Sequence, residues 1–315
     1  MTDYTFQILI GLPLPTGSSI QITFPSTAIP TSTSPTVTGT QNMNSTITGS
    51  YDTSTRVLTM TNISPSSGSY VDEGVFIIFV VSSVTNPNTT QTSDGFGYAS
   101  FDASGNGIEA VTSGATVTAT SGTINSASVT PTVTTIRETT SYTFTFQTSN
   151  DVPVGAIIYI TFPSTISAAD TTSTACLSSG TNIDTTALCT ITSNRFLTIS
   201  GGYPSTGVTS STSISFAVPS ITNYDTTQPS DGFGLQTLTS DNYTLDSLSD
   251  NVTVTATVGT LSGFTVTTNS SFTGVQNTYT FSMTVSNETI LINSYFDITL
   301  PSEITVDDTS YSEGT

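Results

Sequence analysis

Few residues in this chain have the types and spacing to do chemistry. The densest group is "FDASGNGIEA", where Asp102, Asn106 and Glu109 place three side-chain oxygens in one short stretch, a donor set that suits Ca²⁺. The same stretch reads as a hairpin, because Ser-Gly-Asn-Gly supplies the residues that a tight turn between strands needs. The corresponding stretch further along, "LTSDNYTLDS", keeps turn residues but loses the ligand spacing. The hairpin is therefore preferred, Ca²⁺ stays as the alternative, and no other cofactor is expected.

Cys176 and Cys189 form the second group, in "STACLSSGTNIDTTALCTI". With no further metal ligand nearby they read as a disulfide, two buried thiols being the alternative. A disulfide belongs to an oxidising, extracellular setting. The third group is seven Asn-x-Ser/Thr sequons, at Asn44, Asn62, Asn88, Asn242, Asn251, Asn269 and Asn287. Chance alone gives about six in so Thr- and Ser-rich a chain, so their number carries no meaning, and N-linked glycans are an expectation only for a protein secreted by a eukaryote.

The rest of the chemistry search is short. The chain has three basic residues, Arg56, Arg137 and Arg195, with no Lys and no His, against 22 acidic ones, for a net charge of −19. Ser-His-Asp and Cys-His catalysis, His metal sites and Schiff-base or phosphate-loop lysines are all excluded. Most carboxylates stand singly in turns, and no enzymatic activity is expected. Nucleic acid and anionic membranes are excluded as partners, because phosphate binding needs clustered Lys and Arg. No stretch approaches the ~20 apolar residues of a membrane span, so no membrane insertion is expected of this segment.

The elements that must position these residues are short strands. Only 8% of the chain is charged, 35% is hydrophobic, and 70 Thr and 49 Ser supply much of the polarity. The apolar residues alternate: Tyr4, Phe6, Ile8 and Ile10 share one face, as do Ile20, Ile22 and Phe24, Tyr142, Phe144 and Phe146, and Tyr279, Phe281, Met283 and Val285. Period two marks half-buried strands. Further candidates are "RVLTMTNI", "GVFIIFVVSSV", "GFGYASF", "GIEAVTS" and "ATVTAT", separated by turn residues. No amphipathic helix is found.

The strands repeat in blocks. Tyr4, Tyr142 and Tyr279 stand 138 and 137 residues apart, and "SDGFG" at Ser93 and Ser230 and "VTAT" at Val117 and Val254 repeat at 137. That period is the size of a domain. About seven to nine strands per block point to antiparallel β-sandwiches of immunoglobulin-like type, joined end to end by short linkers, although the chain has no Trp and so lacks the antibody-type core signature. The divisions are 1–122, 123–259 and 260–315. A leading strand candidate precedes the second block, Ile124 to Thr140, and the third, Leu261 to Asn277, but only Met1 to Asp3 precede the first. The first sandwich should therefore show an open sheet edge and a packing gap. The third should hold about three strands, and only the middle block should be complete. Met1 opens directly into a strand pattern rather than a signal peptide, and the chain reads as a mature piece or an excerpt.

The tandem phrase "YTF", a Pro-Gly turn, then "ITFPS" resembles the repeated immunoglobulin-like β-sandwich modules of large microbial surface and fibre-forming proteins. The resemblance implies a structural or adhesive role outside the cell or on its surface. The expected partners are copies of the chain in a fibre or neighbouring repeats of a longer chain, with covalent glycans as an addition. The leading expectation is a segment or subunit of an extracellular filament or surface rod, with inter-chain strand complementation as a route of assembly. The alternative is an adhesin that binds carbohydrate or protein through end loops, with Tyr51, Tyr70, Tyr203 and Tyr224 placed near loops to contribute.

Overall fold

The computed structural model describes residues 1–65, 70–285 and 294–306. Among them there is no helix, and the strands gather into two compact units, Met1–Ala256 and Thr257–Thr315. The first unit contains two sandwiches with separate hydrophobic cores.

The first sandwich holds β1 (Thr2–Leu9), β2 (Leu14–Pro15), β3 (Ser19–Thr23), β4 (Val37–Gln41), β5 (Thr48–Asp52), β6 (Val57–Thr61), β7 (Tyr70–Val71), β8 (Phe76–Val84), β9 (Gly97–Phe101) and β10 (Gly107–Val111). One sheet runs β1-β8-β4, the other β10-β9-β3-β6-β5, and β2 pairs with β7. The second sandwich holds β11 (Gly122–Pro131), β12 (Thr139–Thr148), β13 (Ile157–Thr161), β14 (Ser167–Ala168), β15 (Thr171–Ala175), β16 (Ser179–Thr181), β17 (Leu188–Thr192), β18 (Phe196–Ser200), β19 (Ser213–Thr222), β20 (Phe233–Leu238) and β21 (Thr244–Val252). Its β19-β12-β11 sheet faces β21-β20-β13-β18-β17-β15. The strand β11 belongs to both: Gly122 and Thr123 pair in parallel with Asp246 and Ser247 of β21, and Ile124–Pro131 pair antiparallel with β12.

The alternation seen in the sequence sets the faces. Along β12, Tyr142, Phe144 and Phe146 are each 1% exposed, while Thr143 and Thr145 lie on the outer side. The inner rings cluster, with Phe144 5.6 Å from Phe216 and 5.7 Å from Phe233, centroid to centroid. In the first sandwich Ile20, Ile22 and Phe24 are buried, and Phe6 stacks on Phe79 at 5.1 Å. Burying such a side chain removes water from a large apolar area, worth roughly 1.5–3 kcal/mol each. The "SDGFG" phrases tie the last stretch of each sandwich down, because the hydroxyls of Ser93 and Ser230 accept the N–H of Val117 at 3.0 Å and of Val254 at 3.1 Å.

A tyrosine fastens each opening strand at a repeated position. Tyr142 donates its hydroxyl to Asn223 Oδ1 at 2.7 Å, and Tyr4 donates to Asn86 Oδ1 at 3.1 Å. Asn223 in turn donates to the carbonyls of Val133 and Thr135, which hold the connection from β11 to β12. Burial pushes the Tyr142 hydroxyl up to about 12. Its folded value lies above the ordinary 10.0, so the neutral phenol contributes fully below pH 10 and this contribution is lost as pH rises through about 12. Alkaline titration should therefore loosen the second sandwich across that window, and Tyr142→Phe should flatten the dependence when unfolding is followed by circular dichroism.

Hydrogen bonds join the first sandwich and the connection to the second. Thr90 N–H donates to the Thr244 carbonyl at 3.0 Å, Thr244 N–H donates to Thr90 Oγ1 at 3.1 Å, and the Ser121 and Ser247 hydroxyls lie 2.8 Å apart.

Three expectations need correction. The "ATVTAT" segment, residues 115–120, forms no strand: Phe96 donates to the Ala115 carbonyl and Ser93 to that of Val117, both at 2.8 Å, without a ladder. The segment Ile124 to Thr140 is not one strand, since β11 ends at Pro131 and the chain turns through Arg137 at φ 59° before β12. The unit Thr257–Thr315 shows two described strands rather than three, β22 (Leu261–Thr268) and β23 (Tyr279–Val285), and "ITLPS" from Ile298 to Ser302 carries none. No second sheet covers this hairpin among the described residues of the unit, and Leu261, Phe264 and Val266 stay about half exposed.

Candidate functional site

In the described residues of the first sandwich, β1 lies at a sheet edge. This strand pairs antiparallel with β8 on one side, Phe6 opposite Phe79 and Ile8 opposite Ile77, and stands at the end of its sheet. The other side borders a groove of about 430 Å³, lined by Tyr4, Phe6, Ile8, Ile22, Tyr98 and Val111 among others. Tyr4, Phe6 and Ile8 alternate along its floor and are only half-buried, in contrast to Tyr142 and Phe144 at the equivalent places in β12.

A carboxylate staple sits at one end of each sandwich. Glu109 on β10 accepts the hydroxyl of Tyr98 at 2.9 Å and the N–H of Gly11 at 3.1 Å. Asp246, one period later on β21, is fully buried and accepts from Ser149 N–H at 3.1 Å, Ser149 Oγ at 2.6 Å and Asn150 N–H at 3.2 Å. Both acids thus cap the turn that leaves the opening strand. At Gly122 a Cβ would come within 2.3 Å of Asp246 Oδ1, so glycine is required where β11 crosses this staple. Reading the sequence for ligands missed this pair, although an acid at 109 and again at 246 was the signal.

The same geometry divides the calcium candidates. Asp102 and Asn106 meet in the turn between β9 and β10. Asp102 Oδ1 accepts the N–H groups of Ser104 and Asn106 at 2.8 Å, and Oδ2 accepts the Asn106 side-chain amide at 2.9 Å. That amide and the two backbone donors hold the Asp102 carboxyl below its ordinary range. Glu109 is turned away to Tyr98 and Gly11. The structure brings two of the three together and uses the Asp102 carboxylate, with the Asn106 amide donating to it, to close a hairpin. Among the described residues no cluster of three or more His, Cys, Asp or Glu side chains assembles.

Cys176 and Cys189 are joined as a disulfide with Cα atoms 5.7 Å apart, which ties the segment after β15 to the buried Cys189 in β17. Removing it as the Cys176→Ala/Cys189→Ala pair should lower the stability of the second sandwich by about 3 kcal/mol on closure entropy. The first sandwich, with its own core, should be unchanged, and hydrogen exchange resolved by peptide would separate the two.

Of the sequons, Asn62, Asn88, Asn242 and Asn269 are exposed and Asn44 is half-buried. Asn62 Nδ2, the atom a glycan would take, donates to the Thr46 carbonyl at 3.1 Å, and Asn44 Oδ1 accepts from Thr46 N–H. Asn88 and Asn242 stand two residues before the mutually bonded Thr90 and Thr244. Asn251 falls within β21, and Asn287 lies outside the described residues. The arginines are dispersed: Arg137 pairs with Asp225 at 3.3 Å, and Arg195 donates to the Phe162 carbonyl. Two tyrosines expected near binding loops prove to be core residues, Tyr51 at 3% and Tyr203 at 5% exposed. They sit beside turn residues but point inward. Tyr70 is exposed and Tyr224 half-buried.

Fold and surfaces together define a tandem all-β sandwich protein. No family model and no curated protein matches the chain. Among solved structures it is similar to the type II cohesin dyad from the adaptor ScaA scaffoldin of Acetivibrio cellulolyticus, at 12% identity over 77% of this chain and 89% of that one, TM-score 0.23. It is also similar to the C-terminal domain of the AgI/II polypeptide BspA of Streptococcus agalactiae, at 11% identity over 82% and 92%, TM-score 0.26. Likeness at this level transfers no ligand or partner.

Proposed function

We propose that the chain is a structural segment of an extracellular filament or cell-surface rod, built from β-sandwiches set end to end. The observation that carries this reading is the junction within Met1–Ala256. There the connection between the sandwiches is short, the Thr90–Thr244 bonds fasten them directly, and Ser121 of the connection bonds to Ser247 of the second sandwich. The disulfide suits an oxidising compartment outside the cytosol. A surface of hydroxyls with scattered carboxylates keeps such rods apart and hydrated, and glycans on exposed sequons such as Asn88 and Asn242 would add to that coat.

Immunogold labelling of intact cells that express the chain is the test. Label outside the envelope, along filaments or as a surface coat, is the expected result; label confined to the interior would remove the proposal. The adhesin reading keeps one supporting observation, the exposed Tyr70 beside Asp72 and Glu73. Selective binding of one glycan on an array, abolished by Tyr70→Ala, would move the assignment there.

A further inference from the structure

The hairpin between β9 and β10 has a counterpart one repeat away that is built from different residues. Asp102 N–H donates to the Asn106 carbonyl at 2.9 Å, and Gly105 N–H donates to the Asp102 carbonyl at 3.0 Å. In the second sandwich, 137 residues on, Thr239 N–H donates to the Tyr243 carbonyl at 2.8 Å and Asn242 N–H to the Thr239 carbonyl at 3.0 Å. Asn242 also keeps the left-handed backbone of Gly105, at φ 66° against 85°. Where the first sandwich has Asn106-Gly107, however, the second has Tyr243-Thr244, and the hairpin is intact.

Nothing in the fold calls for glycine at 107. Its φ is not left-handed, and a Cβ there would meet no atom within 4 Å. Of the 17 Asn in the chain, Asn106 alone is followed by Gly. Asn106 is exposed. Tyr243 is 37% exposed although Thr244 beside it bonds to Thr90 of the first sandwich, so this position reaches water even next to a fastened neighbour.

We infer that Asn106-Gly107 is a modification site, at which the Asn106 side-chain amide is lost as ammonia through a succinimide. The Gly107 nitrogen attacks Asn106 Cγ and the new C–N bond closes a five-membered ring. Its N–H proton passes through solvent to the departing Nδ2 group, which leaves as ammonia. Water then opens the ring at either carbonyl, giving aspartate or isoaspartate at 106, with no oxidant or reductant involved. Glycine favours closure because no side chain obstructs the attacking nitrogen or restricts its backbone. The restraint on the Asn106 amide is one exposed bond, from Nδ2 to Asp102 Oδ2.

Conversion places a carboxylate where an amide donated, so Asp102 loses a partner and gains a like charge beside it. In isoaspartate the backbone gains a carbon as well, which disturbs the register of β10 on β9, Gly107 opposite Phe101 and Glu109 opposite Ser100. Glu109 on that strand holds Gly11 and Tyr98, so the staple of the first sandwich loosens with age. The second sandwich, with Tyr243-Thr244, is spared. The site stands apart from the filament reading.

Ageing the full-length chain in warm, mildly alkaline buffer and following it by peptide mass spectrometry tests this. The peptide that holds Asn106 should gain the mass of an NH-to-O exchange at least tenfold faster than any other Asn peptide, with aspartate and isoaspartate forms distinguished by electron-transfer fragmentation. Gly107→Ala, for which there is open space, and Gly107→Thr, the residue of the second sandwich, should each slow conversion at least tenfold while circular dichroism keeps the strand spectrum. Hydrogen exchange over residues 97–111 should quicken in the aged chain and in Asn106→Asp, and stay unchanged over residues 233–248.

Conversion at Asn106 no faster than elsewhere, or unaffected by both Gly107 variants, overturns the site. Conversion that leaves exchange over residues 97–111 unchanged overturns its effect on the hairpin. Cell labelling is indifferent to both results, so failure of the filament reading and failure of this site are read apart.

Discussion

Phe144→Ala should cost the second sandwich about 4 kcal/mol, since truncating a fully buried Phe loses its transfer energy and leaves a cavity among packed neighbours. Phe144 is 1% exposed and touches the rings of Phe216, Phe233 and Phe162, which come from three other strands or their ends and cannot all close inward at once. The equivalent Phe6→Ala should cost about half as much, because the groove already exposes one side of Phe6 to water. Hydrogen exchange over residues 122–252 and over residues 2–111 of the full chain measures the two losses separately. Equal losses would mean that the groove is closed in solution.

Asp246→Ala should cost about 3 kcal/mol. The substitution strands buried donors rather than removing a contact, because the N–H groups of Ser149 and Asn150 and the Ser149 hydroxyl all point at one carboxylate that water does not reach. Asp246→Asn should recover part of the loss, since its carbonyl oxygen still accepts. Glu109→Ala in the first sandwich should cost about 1 kcal/mol, as a half-buried site lets water replace the lost acceptor. Urea unfolding of the three variants gives the ranking, and a loss at Asp246 no greater than at Glu109 would refute the staple as an internal support.

The strands legible from sequence were those whose inner face is written in bulky apolar residues, such as β3, β6, β8, β12 and β13. The strands β4 and β5 escaped because some of their inner positions are not bulky: at Gly39 a Cβ would meet the Asn44 carbonyl at 2.1 Å, so the close approach of two segments replaces an apolar signal. β15 and β16 escaped for a related reason, being exposed Thr- and Ser-rich edges with no buried face. The Glu109 and Asp246 staple was legible only as a repeated acid, because several of its partners are backbone N–H groups, which leave no trace in residue types. Tyr51 and Tyr203 misled because neighbouring turn residues say nothing about which way a ring points.

The double membership of β11 has a consequence under tension. It opens the second sandwich, β21 closes it, and the two run parallel where Gly122 and Thr123 meet Asp246 and Ser247. Pulling the ends of this sandwich apart drives those two strands in opposite directions along their own length. Their bonds, and the Asp246 staple beside them, are then loaded in shear and must yield together, whereas a ladder pulled open from one end yields a bond at a time. Resistance to stretching would thus be concentrated in a few residues at the mouth of the sandwich, and Asp246→Ala would lower rupture force more than it lowers equilibrium stability.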